Sequence, residues 1–141
     1  RQFEEMLKSD GLKIFAINID ALITKLGSER IMEFIQSARG KCTMIVDESQ
    51  DIKNISAGRT KTAIHFGNIC KYRMIMTGTP IAKNVIDLFA QFKFLNGSIL
   101  GHKYLTTFRN EYCHVRQTEF GPLITGYKNL DKLLRDNFKY V

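Results

Sequence analysis

Two short apolar runs, each emptying into a polar cluster, constrain this chain more than any other feature of its sequence. Thr43-Met44-Ile45-Val46 leads straight into Asp47-Glu48, and Arg73-Met74-Ile75-Met76 leads into Thr77-Gly78-Thr79-Pro80. Continuous apolar runs of this length, bounded by turn signals, are the pattern of strands buried within a sheet. Ile14-Phe15-Ala16-Ile17 has the same pattern and predicts a third strand, buried on both faces. Elsewhere the period becomes helical. Phe3, Met6 and Leu7 give a short stripe closed by Ser9-Asp10-Gly11. Ile31, Phe34, Ile35 and Ala38 fall at i, i+3, i+4 and i+7, with Ser28 as the expected N-cap and Gly40 as the stop. Residues 57–69 read as a weaker helix, and 85–95 as one with apolar residues on two sides, capped by Asn84. Helices at 103–113 and 130–137 follow, separated by a Gly/Pro-containing loop at 120–126. Apolar strands alternating with helices predict an α/β layer structure, a mainly parallel sheet flanked by helices.

The chain has 141 residues, the size of one domain, with 44% hydrophobic and 25% charged residues, the balance of a globular protein. No apolar run approaches the ~18 residues of a membrane span, and no signal-peptide pattern precedes the first strand-like run, so no membrane partner is expected. The first residue is Arg1 rather than Met, which suggests an excised piece. A net charge of +7 favours polyanionic partners, although basic residues cluster only in pairs such as Lys71 with Arg73 and Arg59 with Lys61. A solvated basic surface is the alternative reading of the same charge. Cys42, Cys70 and Cys113 are odd in number and form no Cys-x-x-Cys pair, which suits a reducing, intracellular compartment, cytoplasmic or nuclear. His102, Cys113 and His114 match no zinc spacing.

Ligands of open parallel sheets bind outside the carboxyl ends of the strands, where both polar clusters fall. An apolar strand followed at once by Asp-Glu is the Walker B arrangement of ATPases. There the first carboxylate helps hold Mg²⁺ and the second polarises the attacking water. An acidic loop at a strand end is the plainer reading of Asp47-Glu48 alone. The second cluster adds weight: Gly78 permits close backbone approach, the Thr77 and Thr79 hydroxyls can bridge to a neighbouring loop, and Pro80 fixes the exit.

With these motifs the chain resembles the Swi/Snf group of superfamily two helicases. That group's acid box reads Asp-Glu-x-His, followed by Lys-Asn and Ser. Here the run is Asp47-Glu48-Ser49-Gln50-Asp51-Ile52-Lys53-Asn54-Ile55-Ser56. Tyr72-Arg73, then Thr77 to Pro80, then Asn84, Asp87, Leu88, Phe89, Phe94 and Leu95 follow in matching order. The resemblance is strong over residues 42–96 and looser at Ile14 to Leu22, at Phe108 with Tyr112, and from Leu130 to Phe138. It implies part of the first RecA-like lobe of an ATP-driven translocase on double-stranded DNA. In that role Asp47 would hold Mg²⁺ through water and Glu48 would act on the attacking water. Gln50, Thr77, Gly78 and Thr79 would couple the nucleotide site to DNA. Lys53 and Asn54 would meet DNA or the other lobe. Gln50 replaces the usual His and brings the box nearer that of superfamily one, but Thr-Gly-Thr-Pro after the next strand assigns superfamily two.

No phosphate loop of the form G-x-x-x-x-G-K-[ST] is present, and Arg39-Gly40-Lys41-Cys42 precedes a strand instead of opening a helix. The resemblance therefore implies a fragment, residues 1–141, without the phosphate loop and second lobe, and inactive as an ATPase by itself. A non-catalytic binding domain derived from such a lobe, or an unrelated phosphotransfer enzyme using Asp47 with Mg²⁺, are the alternatives. If the family's strand order holds, 73–76 becomes an apolar edge strand, and such an edge invites self-association.

Overall fold

The computed structural model describes residues 2–39, 41–81 and 83–137; Gly40 and Phe138 lie outside them. β1 (Thr43–Asp47) and β2 (Tyr72–Met76) form a two-stranded parallel sheet, with Val46 opposite Ile75 and Asp47 opposite Met76. A parallel pair needs a crossover. The 3₁₀ turn Ser49–Ile52 and helix α3 (Gly58–Ile69) provide it. Helix α2 (Lys25–Ser37) packs beside α3, so Ile31, Ile35, Ala63 and Phe66 close over Val46 and Ile52. Helix α1 (Gln2–Lys8) joins this layer through an aromatic ladder. The Phe3 ring meets Phe15 at 5.0 Å, and Phe15 meets Phe34 at 5.7 Å.

Helix α4 (Asp87–Leu95) has the two apolar faces its sequence predicts, and it joins two cores. Phe94 enters the first, whereas Phe89 and Phe92 enter a second built with helices α5 (Leu105–Tyr112) and α6 (Leu130–Asn137) through Phe108, Tyr112 and Leu133. The close approach of α3 to α4 depends on Gly67. A Cβ there would lie 2.8 Å from the Phe94 ring.

Several expectations need correction. Residues 14–17 form no strand: Phe15 and Ile17 lean on the core and line an open cleft beside β1, while Ile14 is 76% exposed. β1 and β2 are packed on one face only. Met44, Val46 and Ile75 point to the core, whereas Ile45, Met74 and Met76 are exposed, because helices cover a single side. The cap of α2 is Thr24, whose Oγ1 accepts the Gly27 N–H at 3.0 Å, rather than Ser28. Gly27 belongs to the first turn, where the chain doubles back so tightly that a Cβ would fall 2.0 Å from the Ala21 carbonyl oxygen. α4 begins at Asp87, after a turn in which Asn84 Oδ1 accepts the Ile86 N–H at 2.9 Å.

The largest correction lies at residues 113–127. The expected loop at 120–126 is instead most of β4 (Gly121–Tyr127), which pairs antiparallel with β3 (Cys113–Thr118) across a two-residue turn, Glu119-Phe120. The two sheets are separate, so the fold is mixed α/β and not one mainly parallel sheet. Among the described residues β2 has no partner on its outer side. That edge faces an apolar cleft of about 560 Å³ walled by Leu88, Phe92 and Leu95 of α4 and Leu133 and Leu134 of α6.

Candidate functional site

Parallel pairing brings the carboxyl ends of β1 and β2 side by side, so the two polar clusters become neighbours. Asp47 leaves β1 with an exposed side chain whose Oδ1 accepts the Glu48 N–H at 2.9 Å. It is a hard oxygen donor open to solvent, the type that Mg²⁺ takes directly or through water. Glu48 adopts the left-handed conformation, φ 49° and ψ 55°, which costs a non-glycine residue about 1–3 kcal/mol. Such strain concentrates where a side chain must be aimed. Here it turns the chain abruptly into the 3₁₀ turn, whose first bond runs from the Asp51 N–H to the Glu48 carbonyl at 2.9 Å.

From Glu48 a chain of side chains crosses to β2. Gln50 Nε2 donates to Glu48 Oε2 at 2.8 Å, and Thr77 Oγ1 donates to Gln50 Oε1 at 2.5 Å. An amide can receive on one side and give on the other, so Gln50 joins the carboxylate to the hydroxyl without changing charge. Thr79 closes the loop on itself, its N–H donating to Thr77 Oγ1 at 3.1 Å. Space around Gly78 is open, so no group among the described residues makes the close approach that a glycine permits. Lys53 and Asn54 end the 3₁₀ turn and lead into α3. Asn54 Oδ1 accepts the Ser56 N–H at 3.0 Å, and neither side chain joins the Glu48–Gln50–Thr77 chain.

A second bridge lies beneath the first, made by residues the sequence did not single out. Ser49 and Gln91 are both fully buried, and Ser49 Oγ donates to Gln91 Oε1 at 2.6 Å. Gln91 Nε2 donates to the carbonyl of Pro80 at 2.6 Å and to that of Asp87 at 2.9 Å. The only signal in the sequence was a lone amide in an otherwise apolar stretch of that helix, Leu88-Phe89-Ala90-Gln91-Phe92.

The amino end of the sheet is different. Cys42 and Cys70 place their sulfurs 3.3 Å apart, and burial, with the Cys42 contact, pushes the Cys70 thiol up to about 12. His102 and Cys113 belong to separate surroundings: His102 Nε2 lies 3.1 Å from Glu111 Oε2, and Cys113 is buried at the start of β3, with His114 exposed beside it.

Two parallel strands delivering an acid box and a Thr-Gly-Thr-Pro loop to one end of a sheet define a class of site. Residues 4–136 match the SNF2-related domain model, and the chain belongs to that family. It is 32% identical over 90 residues to a Drosophila melanogaster SWI/SNF-related matrix-associated actin-dependent regulator of chromatin subfamily A-like protein 1, covering 64% of this chain and 12% of that protein. With human DNA repair and recombination protein RAD54B it shares 33% identity over 109 residues, 77% of this chain and 11% of that protein. With the Arabidopsis thaliana chromatin-remodeling ATPase INO80 it shares 42% over 52 residues, 37% of this chain and 3% of that protein. The chain thus spans about a tenth of the length of the first two relatives. No solved structure gives a significant match.

Proposed function

We propose that this chain is part of the first RecA-like lobe of an ATP-driven, double-stranded-DNA translocase, without that lobe's phosphate loop and without the second lobe. The observation that carries the reading is the hydrogen-bonded chain Glu48–Gln50–Thr77, which ties the acid box to the Thr-Gly-Thr-Pro loop of the adjoining strand. A motor needs such a link, because a change at the nucleotide must be felt at the DNA. Asp47 is the residue that would hold Mg²⁺, which when bound neutralises charge on the phosphates. Glu48 is the base that orients and deprotonates the attacking water. Gln50, Thr77, Gly78 and Thr79 carry the coupling, while Lys53 and Asn54 face DNA or the second lobe.

ATP and Mg²⁺ are the cofactors of the whole protein on this reading. Its partner is DNA, and a nuclear location follows from relatives named for chromatin remodelling and DNA repair. Glu48→Gln in the full-length protein lowers turnover by about 10²–10⁴-fold, the scale for losing a general base. Nucleotide binding persists. Near-normal turnover of that variant removes Glu48 from the role, and absence of nucleotide binding in the unaltered protein favours a non-catalytic descendant of such a lobe.

The chain's own DNA binding is weak, indifferent to sequence and steeply reduced between about 50 and about 200 mM salt, as counterion release dictates for a +7 surface. Tight binding that ignores salt contradicts it. Self-association through the open edge of β2 belongs to the same proposal. Sedimentation at several concentrations, with Met74→Lys as the edge-blocking control, reads it, and a strictly monomeric unaltered chain refutes it.

A further inference from the structure

The buried bridge beneath the acid box has no role in the reading above. Ser49 and Gln91 are 42 residues apart and wholly inaccessible to solvent. Packing alone would be served by an apolar pair, so a desolvated hydroxyl and amide call for another explanation. Gln91 spends both amide hydrogens and one oxygen lone pair, on three partners belonging to three segments. These are Ser49 in the acid-box turn, Pro80 at the end of the Thr-Gly-Thr-Pro loop, and Asp87 one turn back along α4. No hydroxyl, carboxylate or ammonium group offers one acceptor and two donors together. The segment after Pro80 is held a second time: the buried Asp87 carboxylate accepts the N–H groups of Lys83 at 2.7 Å and Asn84 at 3.3 Å. The chain leaving the Thr-Gly-Thr-Pro loop is therefore fixed to the first turns of α4 at Pro80 and again at Lys83 and Asn84, and α4 is fixed through Phe94 to the core behind the sheet.

We propose that Gln91 is a positioning residue, a buried post that holds the Thr-Gly-Thr-Pro loop at a set distance from the acid box. It thereby keeps Thr77 within reach of Gln50 and Glu48. The inference rests on the proposed role of Glu48 for its consequence in turnover, but the anchoring itself can be tested without any activity.

The decisive variants are Gln91→Met, equal in length and unable to make the three bonds, and Ser49→Ala with Gln91→Met, which leaves an apolar pair. In this chain, amide hydrogen exchange across residues 77–84 rises about tenfold or more in both variants. The double variant recovers much of the melting temperature lost by the single one, because neither partner is then buried without its bond. Exchange that recovers with the melting temperature assigns Gln91 to packing and overturns the proposal. So does exchange unchanged in both. In the full-length protein the double variant lowers kcat about tenfold or more with KM for ATP little changed. An unaltered kcat beside a loosened loop overturns the positioning role. Failure of the motor reading is separate: it shows as an unaltered full-length protein with no ATPase, and the exchange data then decide the anchor alone.

Discussion

The parallel pair β1–β2 and the antiparallel hairpin β3–β4 are of similar size and differ in almost every other respect. The first lies on a core of α2, α3 and α4 side chains, and its carboxyl ends carry two layers of side-chain bridges. Among the described residues of the hairpin, Cys113 alone is buried, and Phe120 at its tip is fully exposed. A strand pair supported from behind can hold polar groups within tenths of an ångström, and that is where the candidate chemistry is found. A ribbon held mainly by its own ladder provides no such precision.

Removing the support should erase the difference. Phe94→Ala takes a fully buried ring from behind β2 and from its contact with Gly67, and it costs about 3–5 kcal/mol by denaturant unfolding. A loss below about 1 kcal/mol would mean that the sheet does not depend on this core.

The hairpin has a local device at its base. Glu111, the penultimate residue of α5, accepts a hydrogen bond from Lys132 of α6, and Asn129 Nδ2 donates to the Glu111 carbonyl at 2.9 Å. The Lys132 bond comes first among the causes that hold the Glu111 carboxyl below its ordinary value of 4.5. A lowered carboxylate value means that the contribution is complete above about pH 4.5 and is lost as pH falls through the lowered value. Glu111→Gln lowers stability near neutrality, where the pair contributes in full, and flattens the acid slope, so that the curves of the variant and the unaltered chain converge between about pH 5 and pH 2. An identical acid slope in the variant would show that the pair contributes nothing.

The smallest effect is expected at the tip. Phe120→Ser changes unfolding stability by no more than about 0.5 kcal/mol, since its side chain touches solvent alone. A loss of several kcal/mol would erase the contrast between the two pairs.

The same contrast explains which elements could be read from the chain. β1 and β2 announce themselves by dense apolar runs that stop at Asp47 and Thr77, and α2, α3 and α6 by short-range periodicity; all of these are local signals. The hairpin was hidden because Cys113–Thr118 mixes a histidine, an arginine and a glutamine, while Gly121-Pro122 reads as punctuation. Its strands exist because they pair with each other. Residues 14–17 failed in the opposite sense: a strand-like composition forms no strand without a neighbour to accept its backbone bonds.

The sequence by itself determined the family, the acid box and the Thr-Gly-Thr-Pro loop, because those motifs are contiguous and their chemistry travels with the residue types. Only the tertiary structure decided that Gln50 reaches both Glu48 and Thr77, and that Ser49 meets Gln91 underneath them. An amide in a helix carries no mark of what lies across from it. A hydrogen bond between residues 42 positions apart exists only once the strands, the crossover and α4 have packed.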